Sequence, residues 1–482
     1  MKRKYCAAFA FLVWGCHSPS SSTNTNNGST AADTVKHTQV NAKPIDKGMT
    51  DTVFCTADPS QRYATYVPAR YDAKKKWPII YFFDPHGVGN VPLVLYKALA
   101  DKYGYILAGT YNSKNGMQWS ESEKAAQAFM QDSWQRLSID NSRIYTFGFS
   151  GGARVASSVA LYDGGVTGVV ACGGGLPEKN PQIKQAFSFL GFVGERDFNY
   201  TEMQQLDKQL AQMQFTHQLI VYHGKHQWPP ADVAEQAFQW LELNAMKTKF
   251  IPKNDSLVKA VEQQFVKNAE QAEKQKNEIG EYFTYKKLLN FIGGLAEVSS
   301  YATKVQQMEK SEKINKYLTD EQDNEEQEIR VESEYINDLS EKDIDWWTST
   351  VNEMRTSIKK DSLAPTSLQY QRLLSYLSLA TYMGASQAFK QNNNSAAAHF
   401  LDLYKMVDPT NPEHSYLYAC MYARSGNPDK AINYLADAVK LGFIDVKRTE
   451  TDSNFVSIKD NPAFIALLKK MQAAPAKVDL TQ

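Results

Sequence analysis

The stretch "GFSGGAR" at residues 148–154 sets a serine between glycines with the spacing G-x-S-x-G. A serine hydroxyl attacks a carbonyl carbon effectively only when a base takes its proton, so Ser150 calls for a histidine nearby and an acid to orient that histidine. Downstream, "FVGERDFNY" offers Asp197 and "VYHGKHQWPP" offers His226. The order serine, acid, histidine suits a nucleophile on a strand-to-helix turn whose partners follow on later strands. Ser150 is therefore read as nucleophile, Asp197 as orienting acid and His226 as general base. Each partner has a competitor. Asp197 is preferred to Glu195 because the loop runs G-x-x-D from Gly194. His226 is preferred to His223 because it lies farther into its loop and precedes Trp228, Pro229 and Pro230, which stiffen it. His217 begins the strand before them and is read as a surface residue.

Acyl transfer also needs N–H donors for the charge that develops on the carbonyl oxygen. The amide after the nucleophile, that of Gly151, is one. The second is expected in "FFDPHGVGN", from the amide of Gly87 or Val88, with His86 shaping the loop rather than moving protons. In "YNSKNGMQW", Asn115 is a turn residue or a ligand contact, the two readings being equal.

These residues need a frame. Between residues 49 and 247, apolar β-rich runs such as "WPIIYFFD", "SRIYTFGF" and "FSFLGFVG" alternate with helix-patterned segments such as "SEKAAQAFMQDSWQRL". Alternation of this kind predicts an α/β domain, a doubly wound and mostly parallel sheet with helices on both faces. Ligand sites in such sheets lie at the carboxyl ends of the strands. Gly148, Gly151 and Gly152, with the small Ala153, Ala156 and Ser157 behind them, allow the tight packing that a strained strand–serine–helix turn demands.

Together "DPHGVGN", "GFSGGARVA", "GERDFN" and "GKHQWPP" carry a resemblance over residues 60–247. This part resembles compact α/β-hydrolases of the esterase group, which includes feruloyl esterases, polyhydroxyalkanoate depolymerases and the catalytic domains of prolyl oligopeptidase-like enzymes. The resemblance implies a serine hydrolase working through an acyl-enzyme, with esters favoured and no cofactor. Asp84 and Pro85 depart from it, standing where many relatives have a hydrophobic residue before the His-Gly pair. Two rival readings stay open: a serine peptidase, and a non-catalytic scaffold.

Beyond residue 247 the composition turns to Lys, Glu and Gln with helical periodicity, which predicts an all-α region over 248–364 and another over 365–475. In the latter, Ala385, Ala397 and Leu401 recur thirty-four positions on as Ala419, Ala431 and Leu435. The pattern resembles tetratricopeptide repeats, with "DNPAFIALLKKM" as a capping helix, and implies a protein partner bound through the helix pairs.

The start of the chain stands apart. "MKRKYCAAFAFLVWGC", residues 1–16, has early cations, a short apolar run and a small residue before Cys16. It resembles a bacterial lipoprotein signal in which Cys16 is lipidated, and residues 17–48, rich in Ser, Thr and Asn, read as a tether. The lipid is then the membrane contact, and the absence of an acidic tag after Cys16 points to a periplasm-facing position on the outer membrane. The 53 basic and 53 acidic residues cancel, so nothing draws the chain to nucleic acid. Cys55, Cys172 and Cys420 match no metal spacing, and no metal is expected. A disulfide between Cys55 and Cys172 is left open.

Overall fold

The computed structural model describes residues 45–178, 181–183 and 185–473. Cys16, the signal and the tether up to residue 44 lie outside the described residues. The chain divides into two compact units, one reaching to Gln322 and the other beginning at Asp323.

The first unit is built on a sheet of β1 (Thr50–Phe54), β2 (Arg62–Tyr66), β3 (Trp77–Phe83), β4 (Ile106–Thr110), β5 (Ile139–Phe149), β6 (Gly168–Cys172), β7 (Ser188–Gly194) and β8 (His217–Tyr222). The order across it is β1-β2-β4-β3-β5-β6-β7-β8. β2 runs antiparallel to β1 and β4, and every other pairing is parallel. Helices α1 (Asn90–Tyr103), α2 (Trp119–Arg136), α3 (Gly151–Ser158), α4 (Tyr200–Gln212) and α5 (Ala231–Lys247) follow β3, β4, β5, β7 and β8 respectively. This is the α/β-hydrolase fold.

Parallel strands covered on both sides read as unbroken apolar runs, and β3 and β7 are buried at every position. Successive side chains alternate between two cores. Ile80, Phe82, Phe147 and Phe192 face one side with Tyr96 of α1 and Trp240 of α5. Ile79, Tyr81, Phe83 and Val193 face the other with Phe129 of α2, Ala153 of α3 and Leu206 of α4. Cys172 belongs to the first core and Cys55 to the second, and both are free thiols, so the disulfide left open by the sequence is not formed.

The compact unit does not stop with α5. Helices α6 (Asp255–Lys274), α7 (Glu278–Ile292) and α8 (Ser299–Met308) cover the α1/α5 side, and Phe291 packs against both Trp240 and Phe265 at ring separations of 5.2 and 5.1 Å. The apolar stripe of α6, with Val258, Val261, Phe265 and Ala269, is buried in the same core as the sheet residues.

Helix α9 (Glu312–Glu341) contains the division between units. The second unit continues with α10 (Ile344–Lys360), α11 (Pro365–Lys390), α12 (Asn394–Val407), α13 (Pro412–Arg424), α14 (Pro428–Leu441), α15 (Val446–Thr451) and α16 (Pro462–Gln472). Ala385, Ala397, Leu401, Ala419, Ala431 and Leu435 are all fully buried in one helical core, and small residues there let the helices of each pair approach closely. Asn393 and Asn427 cap α12 and α14 through their side chains. No described helix is long and apolar enough to cross a membrane.

Candidate active site

Ser150 sits where β5 ends and α3 begins, with φ +54° and ψ −124°. Positive φ is uncommon for a residue with a Cβ, and its cost of order 1–3 kcal/mol persists only where the surroundings enforce it. Here they do. The Ser150 amide donates to Cys172 O on β6 at 2.8 Å, and Ser150 O accepts from Ala153 N at 3.0 Å. A Cβ on Gly148 would fall 2.1 Å from Gly152 O, and one on Gly152 would fall 2.0 Å from Phe83 O. Strand, turn and helix are therefore pressed together at a separation only glycine permits. Gly151 opens α3, so its N–H is among those with no acceptor inside the helix.

Asp197 lies past the end of β7 and His226 past the end of β8. His226 Nδ1 donates to Asp197 Oδ1 at 2.8 Å, with Asp197 fully buried and His226 only 6% exposed. A carboxylate can only accept, so Nδ1 carries a proton, and in the neutral ring the lone pair is on Nε2. That Nε2 is buried with no hydrogen-bond partner among the described residues. The imidazole is held between Phe149 and Phe198, at ring separations of 4.7 and 4.1 Å. Phe149 immediately precedes Ser150, which brings the histidine beside the serine turn. No Ser150–His226 hydrogen bond is formed, and serine–histidine contacts without substrate are often longer than in the reacting complex.

Three further residues position this pair and escaped the sequence reading. Gly173, with φ +56°, lies so close that a Cβ would be 2.8 Å from Asp197 Oδ2 and 2.9 Å from His226 Nδ1. Gly174 packs on the Ser150 carbonyl. Asn199 donates its amide to Asp197 Oδ1 at 2.8 Å and its side chain to Gly173 O at 2.6 Å. Positive φ at Gly173 has no sequence signature beyond the Gly-Gly-Gly run at 173–175.

The competitors meet elsewhere. His223 Nδ1 pairs with Glu195 at 2.5 Å, and Arg196 approaches His223 Nε2 at 3.2 Å. Arginine only donates, so His223 Nε2 accepts and has no lone pair left for a base. His217, at the far end of β8, pairs with Asp207 at 3.4 Å.

The loop after β3 departs from expectation. Asp84 is buried, and its Oδ1 accepts from His86 N at 2.9 Å and Val88 N at 3.1 Å, while its backbone oxygen accepts from Gly87 N at 3.0 Å. The two amides expected as the second oxyanion donor, those of Gly87 and Val88, are thus turned inward onto Asp84. For Val88 the physical cause is the burial of a carboxylate, which requires several donors, whereas the Gly87 amide closes a tight turn on the Asp84 carbonyl. The carboxylate's third donor is Trp228 Nε1, 3.1 Å from Oδ2, which ties this loop to the one that carries His226. Hydrogen bonds to a charged group contribute about 1.5–3 kcal/mol each.

Beside the serine turn is a cleft lined by Asn115, Met117, Trp119, Gly151, Val155 and Pro177, among others. Arg154, also at its wall, is engaged with Glu202 at 2.6 Å and with Leu176 O at 3.2 Å. Among the described residues, no cluster of His, Cys, Asp and Glu could hold a metal ion.

Residues 111–228 match the Dienelactone hydrolase family. None of the curated proteins matches the chain in sequence. Among solved structures, S-formylglutathione hydrolase (FrmB) from Staphylococcus aureus is 12% identical with a TM-score of 0.33, over 40% of this chain and 95% of that one. An esterase from Pyrobaculum calidifontis is 15% identical with a TM-score of 0.34, over 42% and 87%. Dipeptidyl peptidase 4 from Porphyromonas gingivalis is 13% identical with a TM-score of 0.31, over 40% and 35%.

Proposed function

We propose that this chain is a serine hydrolase of carboxylic esters. The observation that carries the reading is a serine held at φ +54° beside a buried histidine whose Nδ1 is bonded to a buried aspartate and whose Nε2 is unpartnered. In this reading Ser150 Oγ attacks the ester carbonyl as its proton passes to His226 Nε2. The imidazolium is stabilised by Asp197, and the Gly151 amide donates to the oxyanion. Collapse expels the alcohol, which takes the proton from His226 and leaves an acyl-Ser150. Water, activated by His226 in turn, releases the acid. The match to the Dienelactone hydrolase family supports hydrolase chemistry.

Export, with lipidation at Cys16 and a periplasm-facing place on the outer membrane, belongs to the same proposal and is supported by the pattern of residues 1–16. Binding of a protein partner by tetratricopeptide-like helix pairs is supported by the thirty-four-residue recurrence and by the burial of its small residues.

The test is labelling of the purified protein with a fluorophosphonate probe, alongside Ser150→Ala and His226→Ala. Labelling of the wild type that vanishes in Ser150→Ala and falls sharply in His226→Ala is expected. A folded wild type that does not label would move the weight to the scaffold reading. Faster turnover of an aminoacyl-arylamide than of an aryl ester would favour a peptidase.

A further inference from the structure

We propose that the side-chain carboxamide of Asn115 supplies the second oxyanion donor, in place of the amides of the loop after β3. The inference rests on the serine-hydrolase reading above and names a residue that acts within it.

The first support is elimination within the loop. Pro85 has no N–H, and the amides of His86, Gly87 and Val88 all donate to Asp84. Releasing His86 or Val88 would leave a buried carboxylate short of a donor, and releasing Gly87 would open the turn closed on the Asp84 carbonyl. The loop is stabilised as it stands, with the Trp228 indole making the third bond to the same carboxylate.

The second support is where Asn115 lies. Its backbone amide donates to Pro85 O at 2.8 Å, which fastens the loop after β4 to the loop after β3. Its side chain reaches over Gly151, the residue whose amide is the first oxyanion donor. A Cβ built on Gly151 would fall 1.9 Å from Asn115 Oδ1, 2.9 Å from Cγ and 3.5 Å from Nδ2. The carboxamide therefore occupies the space next to Gly151 that any side chain there would fill, and both residues line one cleft. No hydrogen bond among the described residues engages that carboxamide. The last torsion of asparagine is soft and roughly two-fold, so a half turn presents Nδ2 where Oδ1 now lies.

The chemistry fits the donor. An amide N–H carries no charge and loses no proton, so it stabilises a developing oxyanion without competing with His226 for the serine proton. The backbone bond from Asn115 to Pro85 O fixes where the side chain starts, so only its last torsion has to turn for Nδ2 to face the developing charge. The same contact accounts for glycine at position 151.

Steady-state hydrolysis of p-nitrophenyl acetate by wild type, Asn115→Ala and Asn115→Asp tests the assignment, with fluorophosphonate labelling of each and thermal unfolding to show that the variants fold. Asn115 is exposed, so both should fold as wild type does. Loss of an oxyanion donor should lower kcat by about 10²–10³-fold with KM within about threefold. Asn115→Asp keeps the shape and removes the donor, so its kcat should fall at least as far. Either variant retaining kcat within about threefold of wild type, or a loss confined to KM, overturns the assignment while wild-type labelling leaves the hydrolase reading intact. A folded wild type that neither labels nor hydrolyses overturns the hydrolase reading and this assignment together.

Discussion

Two histidine–carboxylate pairs bridge the same two loops, those after β7 and β8, and only one of them leaves its second ring nitrogen without a partner among the described residues. His223 meets Glu195 at 2.5 Å; His226 meets Asp197 at 2.8 Å. The shorter pair is the weaker candidate. His223 is 66% exposed and Glu195 24%, whereas the values for His226 and Asp197 are 6% and 0%. Water screens the outer pair, and such pairs contribute about 0–1 kcal/mol. Two unit charges 4 Å apart interact by about 1 kcal/mol in bulk water and by about 4 kcal/mol at the effective dielectric near a protein surface. Partners matter as much as medium. Arg196 takes up the outer Nε2, while the inner Nε2 is left open beside the serine turn. Separation alone does not rank two such pairs; burial and the state of the second nitrogen do.

The inner histidine is the position most sensitive to substitution. His226→Ala should lower kcat for an activated ester by about 10⁵–10⁶-fold, as removal of a base acting in concert with its serine does. His223→Ala, assayed in parallel, should stay within about twofold, and an equal loss in both would erase the distinction drawn here. Next in size is Asp197→Asn, which keeps the volume but removes the charge and lets an amide N–H donate to Nδ1, favouring the wrong tautomer; kcat should fall by about 10⁴-fold, while Glu195→Gln changes little. A third probe leaves both pairs chemically intact. Gly173→Ala places a methyl against Asp197 Oδ2 and His226 Nδ1 at a backbone with φ +56°. Displacement of the inner pair by about an ångström should cost about 10²-fold in kcat/KM. The smallest effect belongs to the outer pair itself: a double-mutant cycle on His223 and Glu195, read by denaturant unfolding, should give a coupling below about 1 kcal/mol.

Much of this arrangement was legible beforehand, for reasons that differ by residue. Alternating apolar and helix-patterned segments identified the doubly wound sheet, because strands buried on both faces must be apolar throughout, as β3 and β7 are. The position of Ser150 between strand and helix was readable because glycines at 148, 151 and 152 have few other uses in that setting. The choice of His226 over His223 could be argued from loop stiffness, but not from the fact that Arg196 occupies the second nitrogen of His223. The loop after β3 was read least well. "DPHG" displays Asp84 in plain view, yet nothing local says that its carboxylate is buried and gathers the amides of its own loop. The helices after residue 247 were read as helical, while their sharing of a core with α5 came only from three dimensions.

What the sequence by itself determined, then, is what depends on short-range pattern: the alternation that makes the sheet, the small residues that let a serine stand on a tight turn, and the order in which acid and histidine follow it. What only the tertiary structure decided is which polar groups find each other across the fold. Asp84 with Trp228, Asn115 over Gly151, and Gly173 beneath Asp197 and His226 are contacts between different strand ends. The physical reason is that a buried polar group must be satisfied by whatever the fold brings within about 3 Å, and that neighbour is set by topology rather than by distance along the chain.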